Sequence, residues 1–270
     1  MDPNVAKILT GIGLTAGYHA GTFAQGHLAT KFFDRAKKET GIVDDPEKDS
    51  ILTAHLATTK GKPTITTDAE KHGSGYISQY GAKELGNAEY ADEVSLEKDA
   101  GRFVLAHELG HREARFGKNP IERTAQNKLY QGISPLIKGP ALFALGYATP
   151  SSRRALAYGL AANYLNYTPM LIAENAANRH AQKYMKETGQ PVDKSIPREQ
   201  LRNYGVGIGV DAVGQVGAGI LIKGLAENPH TRDFTRAFLH LDEVEKGAKV
   251  AKDVSKEAFN YLKHKARDLW

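Results

Sequence analysis

Apolar positions along this chain fall into blocks of different period. Residues 5–33, VAKILTGIGLTAGYHAGTFAQGHLATKFF, are apolar and rich in Gly and Ala, with Gly13, Gly17 and Gly21 recurring every four residues. That spacing lets helices approach closely. Residues 33–50 carry many charges and turn formers and read as a loop. Two β-favouring runs, 64–67 and 76–78, are separated by glycine-containing breakers and predict two or three short strands between residues 51 and 86. A helical run over 102–115 follows, with apolar residues from Phe103 to Ala106 and again at Leu109, stopped by Gly117-Lys118-Asn119-Pro120. Segments 132–148 and 155–173 form an apolar helical pair, the second running nineteen residues without a charge. The stretch 169–185 reads as a separate helix, with Thr168 as N-cap, Pro169 at its first position, and Gly189 and Pro191 beyond its end. Residues 186–202 read as an exposed polar connection, and 204–225 are again apolar and Gly-rich, so this block and the first are expected to pack on each other. From 233 to 270, apolar residues at three-to-four spacing predict a long amphipathic helix.

The resulting fold class is α+β, predominantly α, with a small sheet, Gly-rich apolar helices and a C-terminal amphipathic helix. It divides into three consecutive stretches: residues 1–50, residues 51–190 with a helical hairpin inserted at 132–173, and residues 191–270. The 270 residues suit one or two domains with ample core. A net charge of +5 without a nucleic-acid motif does not point to DNA or RNA. There is no cysteine, which excludes disulfides and thiolate metal ligands and leaves His, Asp and Glu for any metal site. The opening is acidic at Asp2 and polar at Asn4, unlike the basic start of a signal peptide. Hairpin length approaches that of a membrane span, but Asn163, Asn166 and three tyrosines, together with a mean hydropathy of −0.45, favour a buried pair or a protein-contact surface. Asp211 would be costly in lipid unless paired.

Chemistry concentrates at His107-Glu108-Leu109-Gly110-His111. An HExxH pentad on a helix sets both imidazoles on one face, one turn apart, where they can converge on a metal ion. Neutral imidazoles suit Zn2+, and Glu108 is placed to take a proton from a water and pass it to a leaving amine. Gly110 leaves room for a backbone to approach. No histidine completes the HExxHxxGxxH pattern, so the third ligand must lie elsewhere. Glu174 is the best candidate, with Asn178 four residues on and able to hydrogen-bond a ligand histidine. His55 and His72 have no partner spacing and are expected to play no metal role, and His19 and His27 are expected to be exposed or hydrogen-bonded rather than metal-bound.

VLAHELGH, followed at a distance by E-x-x-A-N-R-x-A (Glu174, Ala177, Asn178, Arg179, Ala181), resembles the HtpX-type and CaaX prenyl-protease-type metallopeptidases, which are gluzincins. The likeness covers roughly residues 101–186. It implies a zincin-like core, Glu174 as the third zinc ligand, a sheet whose edge holds an extended peptide, and a transmembrane hairpin where 132–173 lies. One position departs: the family usually carries Asp where this chain has Asn178, which lacks the charge that raises histidine basicity. Arg179 can pair with a carboxylate or stabilise an oxyanion.

These readings describe a zinc endopeptidase acting on a peptide or protein substrate. The alternative is a structural or interaction protein on the same scaffold. It would contact a membrane or a larger, viral or phage-like assembly through 132–173, 5–30 and 205–225, with little or no proteolysis.

Overall fold

A computed structural model describes residues 2–59, 61–67, 75–78, 92–97, 99–126, 139–190 and 192–239. Its elements in chain order are α1 (Pro3–Thr40), α2 (Ser50–Leu56), β1 (Thr64–Thr66), β2 (Gly75–Ser78), β3 (Asp92–Ser95), α3 (Arg102–Phe116), α4 (Pro120–Ala125), α5 (Gly139–Ala148), α6 (Ser152–Glu187), α7 (Ser195–Glu227) and α8 (Arg232–Leu239). The protein is α+β and predominantly α. The first seven residues of the hairpin, 132–138, and the tail beyond α8 lie outside the described residues, as does His72.

Several boundaries differ from the sequence reading. The first part of the charged segment after Phe33, up to Thr40, is the end of α1, and the expected loop is confined to residues 41–49. Phe32 and Ala36 are buried, Arg35 pairs with Glu39 one turn on at 2.7 Å, and the helix stops only at Gly41, whose φ of 74° suits glycine. Asp2 caps the other end, its Oδ1 accepting from the Asn4 amide at 2.6 Å. Pro169 lies inside α6 rather than at a helix start: the second hairpin segment and the Glu174 helix are one 36-residue element. An interior proline removes a backbone bond and costs about 3 kcal/mol; packing along the helix outweighs it. The end of the polar connection 186–202, from residue 195, is the first two turns of α7, with Pro197 tolerated where no intrahelical donor is needed and Ile196 fully buried. Ser50–Leu56 is helical, capped by Asp49, where only strands were expected nearby.

The chain forms two compact units, and each draws on all three consecutive stretches of the sequence. The first contains the described residues between 27 and 126 and between 169 and 203. Its sheet has the order β1-β3-β2, with β3 parallel to β1 and antiparallel to β2. Ile65 and Tyr76 both stand opposite Val94, which is fully buried. The sheet reached the expected count of strands through β3, a polar segment beyond the predicted region. Val94, Leu96, Phe103, Leu105, Leu109, Tyr184, Met185 and Ile196 belong to one apolar core beneath α3.

The N-terminus of α3 is fastened from several sides. Arg102 N donates to Gly41 O at 3.0 Å and Val43 N to Ala100 O at 3.0 Å. Gly101 has no side chain to cap the helix, so Thr40 substitutes: its hydroxyl accepts from Phe103 N at 3.2 Å and donates to Ala36 O at 2.7 Å.

The second unit contains the described residues 2–26, 139–168 and 204–239. Here the two Gly-rich helices pack on each other as expected, in antiparallel fashion. Ile8 lies against Gly224, Gly11 against Leu221, Leu14 against Gly217, Tyr18 against Gly214, and Gly21 against Val210. Each glycine receives a larger side chain from the other helix, at three-to-four spacing on both. Gly13 and Gly17 face open space, so the seam follows Gly11 and Gly21 rather than the four-residue repeat. Across α5 and α7 the contact is backbone on backbone: Cβ atoms at Gly146 and Gly219 would strike Val216 O and Phe143 O. Asp211 has a polar neighbour, Asn163 Nδ2 at 3.4 Å, which also donates to Ile208 O at 2.7 Å. Among the described residues, α7 is long and apolar enough to cross a membrane; α5 is shorter, and 155–173 does not meet that measure. A core helix passes the same test.

Candidate metal centre

The site lies wholly within the first unit, on α3, α4, α6 and the first turns of α7. The first three turns of α3 are almost entirely buried, His107 and Glu108 included. On α6, Glu174 and Asn178 face it, both buried. Gly110 makes this approach possible, because a Cβ there would overlap the backbone oxygen of Ala177. The backbone approach anticipated at Gly110 is therefore present, and α6 is what approaches.

His107, His111 and Glu174 converge. Nε2 of His107 lies 3.1 Å from Nε2 of His111 and 3.2 Å from Glu174 Oε2, and His111 Nε2 lies 3.5 Å from Glu174 Oε1. Four ligands about 2.0–2.1 Å from a tetrahedral ion stand about 3.3 Å from one another. The three separations bracket that value, so this group could hold a metal ion. Without a metal, the same separation suits an N–H···N hydrogen bond between the two rings, one of them protonated on Nε2.

Partners behind the ligands orient both rings. His107 Nδ1 donates to Asn178 Oδ1 at 3.1 Å, which leaves Nε2 as the lone-pair nitrogen. Asn178 Nδ2 in turn donates to Pro197 O at 3.4 Å. His111 Nδ1 lies 2.9 Å from the Gln126 carboxamide. With the Gln126 amide turned so that Oε1 accepts, His111 Nε2 is also free for a metal. Asn119 starts α4 by accepting from Ile121 N at 3.0 Å, and Gln126 is the residue on which that helix ends. One turn earlier, Glu122 ties α4 to α6, accepting from Arg179 at 2.8 Å and approached by His180 at 3.3 Å. Arg179 thus forms an ion pair.

The two histidines feel different fields. Burial works against a proton on His107, but the hydrogen bond and charge of Glu174, aided by the charge of Glu108, hold its pKa above the ordinary value. Burial dominates at His111 and pushes it down to about 4.

A second polar chain locks α3 from behind. Arg112 has only donors, so it donates to His55 Nε2 at 2.8 Å. His55 Nδ1 then donates to the Tyr184 hydroxyl oxygen at 3.0 Å, and that hydroxyl donates to Glu113 Oε2 at 3.2 Å. Burial works to raise the Glu113 pKa, yet hydrogen bonds from Thr59, Thr58 and Tyr184 hold it below the usual carboxylate range. His55 is fully buried with a structural part, and His19 and His27 are exposed.

Of the residues singled out from sequence, His107, His111, Glu174, Glu108 and Asn178 are brought together, and Arg179 is turned to Glu122. Gln126 and Gln200 were not anticipated. Gln126 stands fifteen residues beyond His111 in a motif-free stretch, and Gln200 lies in the segment read as a connection. No protein-family model, curated protein or solved structure matches this chain.

Proposed function

We propose that the protein is a zinc-dependent endopeptidase of the gluzincin kind, akin to the HtpX-type and CaaX prenyl-protease-type enzymes, with a zincin-like core. The observation that carries this reading is the convergence of His107 Nε2, His111 Nε2 and Glu174 at 3.1–3.5 Å on a helix that also bears Glu108. His107, His111 and Glu174 would hold the ion, which would supply Lewis acidity to a water and to a scissile carbonyl. Glu108, buried and near enough for its charge to act on His107, takes the proton of the attacking water and delivers it to the leaving amine nitrogen. Asn178 and Gln126 hold the two imidazoles in orientation.

The test is zinc stoichiometry together with peptide cleavage. Wild-type chain is expected to bind one zinc and cleave an unstructured protein substrate, Glu174→Ala to lose the metal, and Glu108→Gln to keep the metal and lose turnover. Cleavage retained by Glu108→Gln would sink the mechanism.

A second reading is favoured by one observation: in the second unit α1 leaves Leu9, Ile12 and Phe23 at 55%, 51% and 84% exposure. On that reading the Gly-rich helices place the chain in a membrane or a larger assembly. Flotation with phosphatidylcholine vesicles, or self-assembly in detergent-free buffer, supports it; a monodisperse monomer that ignores vesicles counts against it.

A further inference from the structure

Gln200 reaches the ligand cluster from α7. Its Nε2 lies 3.2 Å from His107 Nε2, the separation that His107 Nε2 also keeps from Glu174 Oε2. The carboxamide head therefore stands at a tetrahedral edge distance from one ligand nitrogen, on a third helix. Its other polar atom, Oε1, is buried and has no hydrogen-bond partner.

The backbone that carries Gln200 is firmly placed. Ile196 is fully buried in the core, Pro197 O accepts from Asn178, and Arg35 bonds Ser195 Oγ at 2.7 Å and Glu199 at 3.1 Å. Asn178 thus holds the His107 ring with one end of its amide and the Gln200 helix with the other.

The Gln200 carboxamide stands within hydrogen-bonding range of His107 Nε2. When that nitrogen gives its lone pair to a cation, an N–H facing it has no acceptor. A half-turn of the carboxamide then brings an oxygen donor to the same place. We propose that Gln200 is a fourth protein ligand, through Oε1, which closes the centre at rest and must yield to water before hydrolysis. This rests on the metal-site reading above. Three protein ligands leave a zinc centre open to water, whereas four make it a closed, structural one. A neutral amide oxygen is the weakest donor of this set, so it is the ligand that gives way. Gln200 would then decide whether the centre is latent or competent.

The experiment loads cobalt(II) into the full chain and compares its visible ligand-field absorption, its affinity and its titration with azide. Gln200→Leu and Gln200→Glu are compared with wild type, and Glu174→Ala serves as the reference for loss of the centre. Wild type is expected to bind cobalt but respond weakly to azide. In Gln200→Leu the cobalt bands shift, cobalt binds several-fold more weakly and azide at least tenfold more tightly, because the fourth position opens. In Gln200→Glu a carboxylate fills that position, so cobalt binds more tightly and azide is excluded; this variant keeps the test decisive should the leucine variant fail to fold. Wild-type bands, affinity and azide response in both variants would overturn the Gln200 proposal while leaving the three-ligand site standing. Tight azide binding to wild type would do the same. No cobalt uptake by wild type would overturn both.

Discussion

The two units solve the problem of close helix packing in opposite ways. In the unit that carries the site, α3 and α6 touch at a single glycine, Gly110, and around it the contact is filled with buried polar groups whose bonds run in fixed directions. In the other unit, α1, α5 and α7 meet along a run of glycines with apolar partners and few polar links. Polar chains define positions to a few tenths of an ångström, which a metal centre needs. Glycine seams give proximity without direction, suiting a support and not a reaction centre.

Substitutions at the two kinds of contact separate these roles. Gly146→Val drives a side chain into the Val216 carbonyl and is expected to cost about 3 kcal/mol in urea unfolding, leaving zinc stoichiometry at one in the fraction that remains folded. Gly110→Val, set against Ala177, should instead lower zinc affinity; equal metal loss from both variants would break the distinction.

Acid is the next lever. In the metal-free chain, burial holds His111 at about 4 against an ordinary 6.5. Below pH 6.5 the unfolded chain takes up a proton that the folded chain refuses, so the stability due to His111 is complete above pH 6.5 and is lost as pH falls toward 4. The loss is roughly 2–3 kcal/mol. His107, raised in the folded state, acts on the other side: its contribution is complete below 6.5 and fades as pH rises through its folded value. Urea midpoints of wild type and His111→Asn across this range check the sign, since the variant should lose the acid slope.

Asn178→Ala should weaken zinc about 10–100-fold by releasing the His107 ring, whereas Asn178→Asp should tighten it through added negative charge. Isothermal titration with a competing chelator distinguishes these outcomes. Smallest of all, Phe23→Ser on the exposed face of α1 should change unfolding by less than about 0.5 kcal/mol. A larger loss would mean that this face is covered after all.

What could be seen in the sequence follows from distance along the chain. His107, Glu108 and His111 are visible because one helical turn relates them, and Glu174 with Asn178 for the same reason. The facing of the two helices rests on Gly110, whose meaning as a contact point is also local. Gln126 and Gln200 left no signal: a carboxamide has no motif, and Gln126 is placed by the end of a short helix that was not foreseen, Gln200 by the first turns of a helix that reads as polar connection. Pro169 misled because its local preference for a helix start was overruled by packing on both sides of it. The end of α1 misled in reverse, since its charges suit a helix terminus as well as a loop. Among the apolar blocks, composition foretold that the Gly-rich helices would meet, but only their three-dimensional pairing selects Gly11 and Gly21 over Gly13 and Gly17.

The pairing of Gly11 with Leu221 also sets a timetable. A ribosome making about 5–20 residues per second releases the first helix roughly 10–40 s before the segment that completes its groove. A helix so rich in glycine has weak intrinsic propensity and exposes apolar side chains throughout that interval.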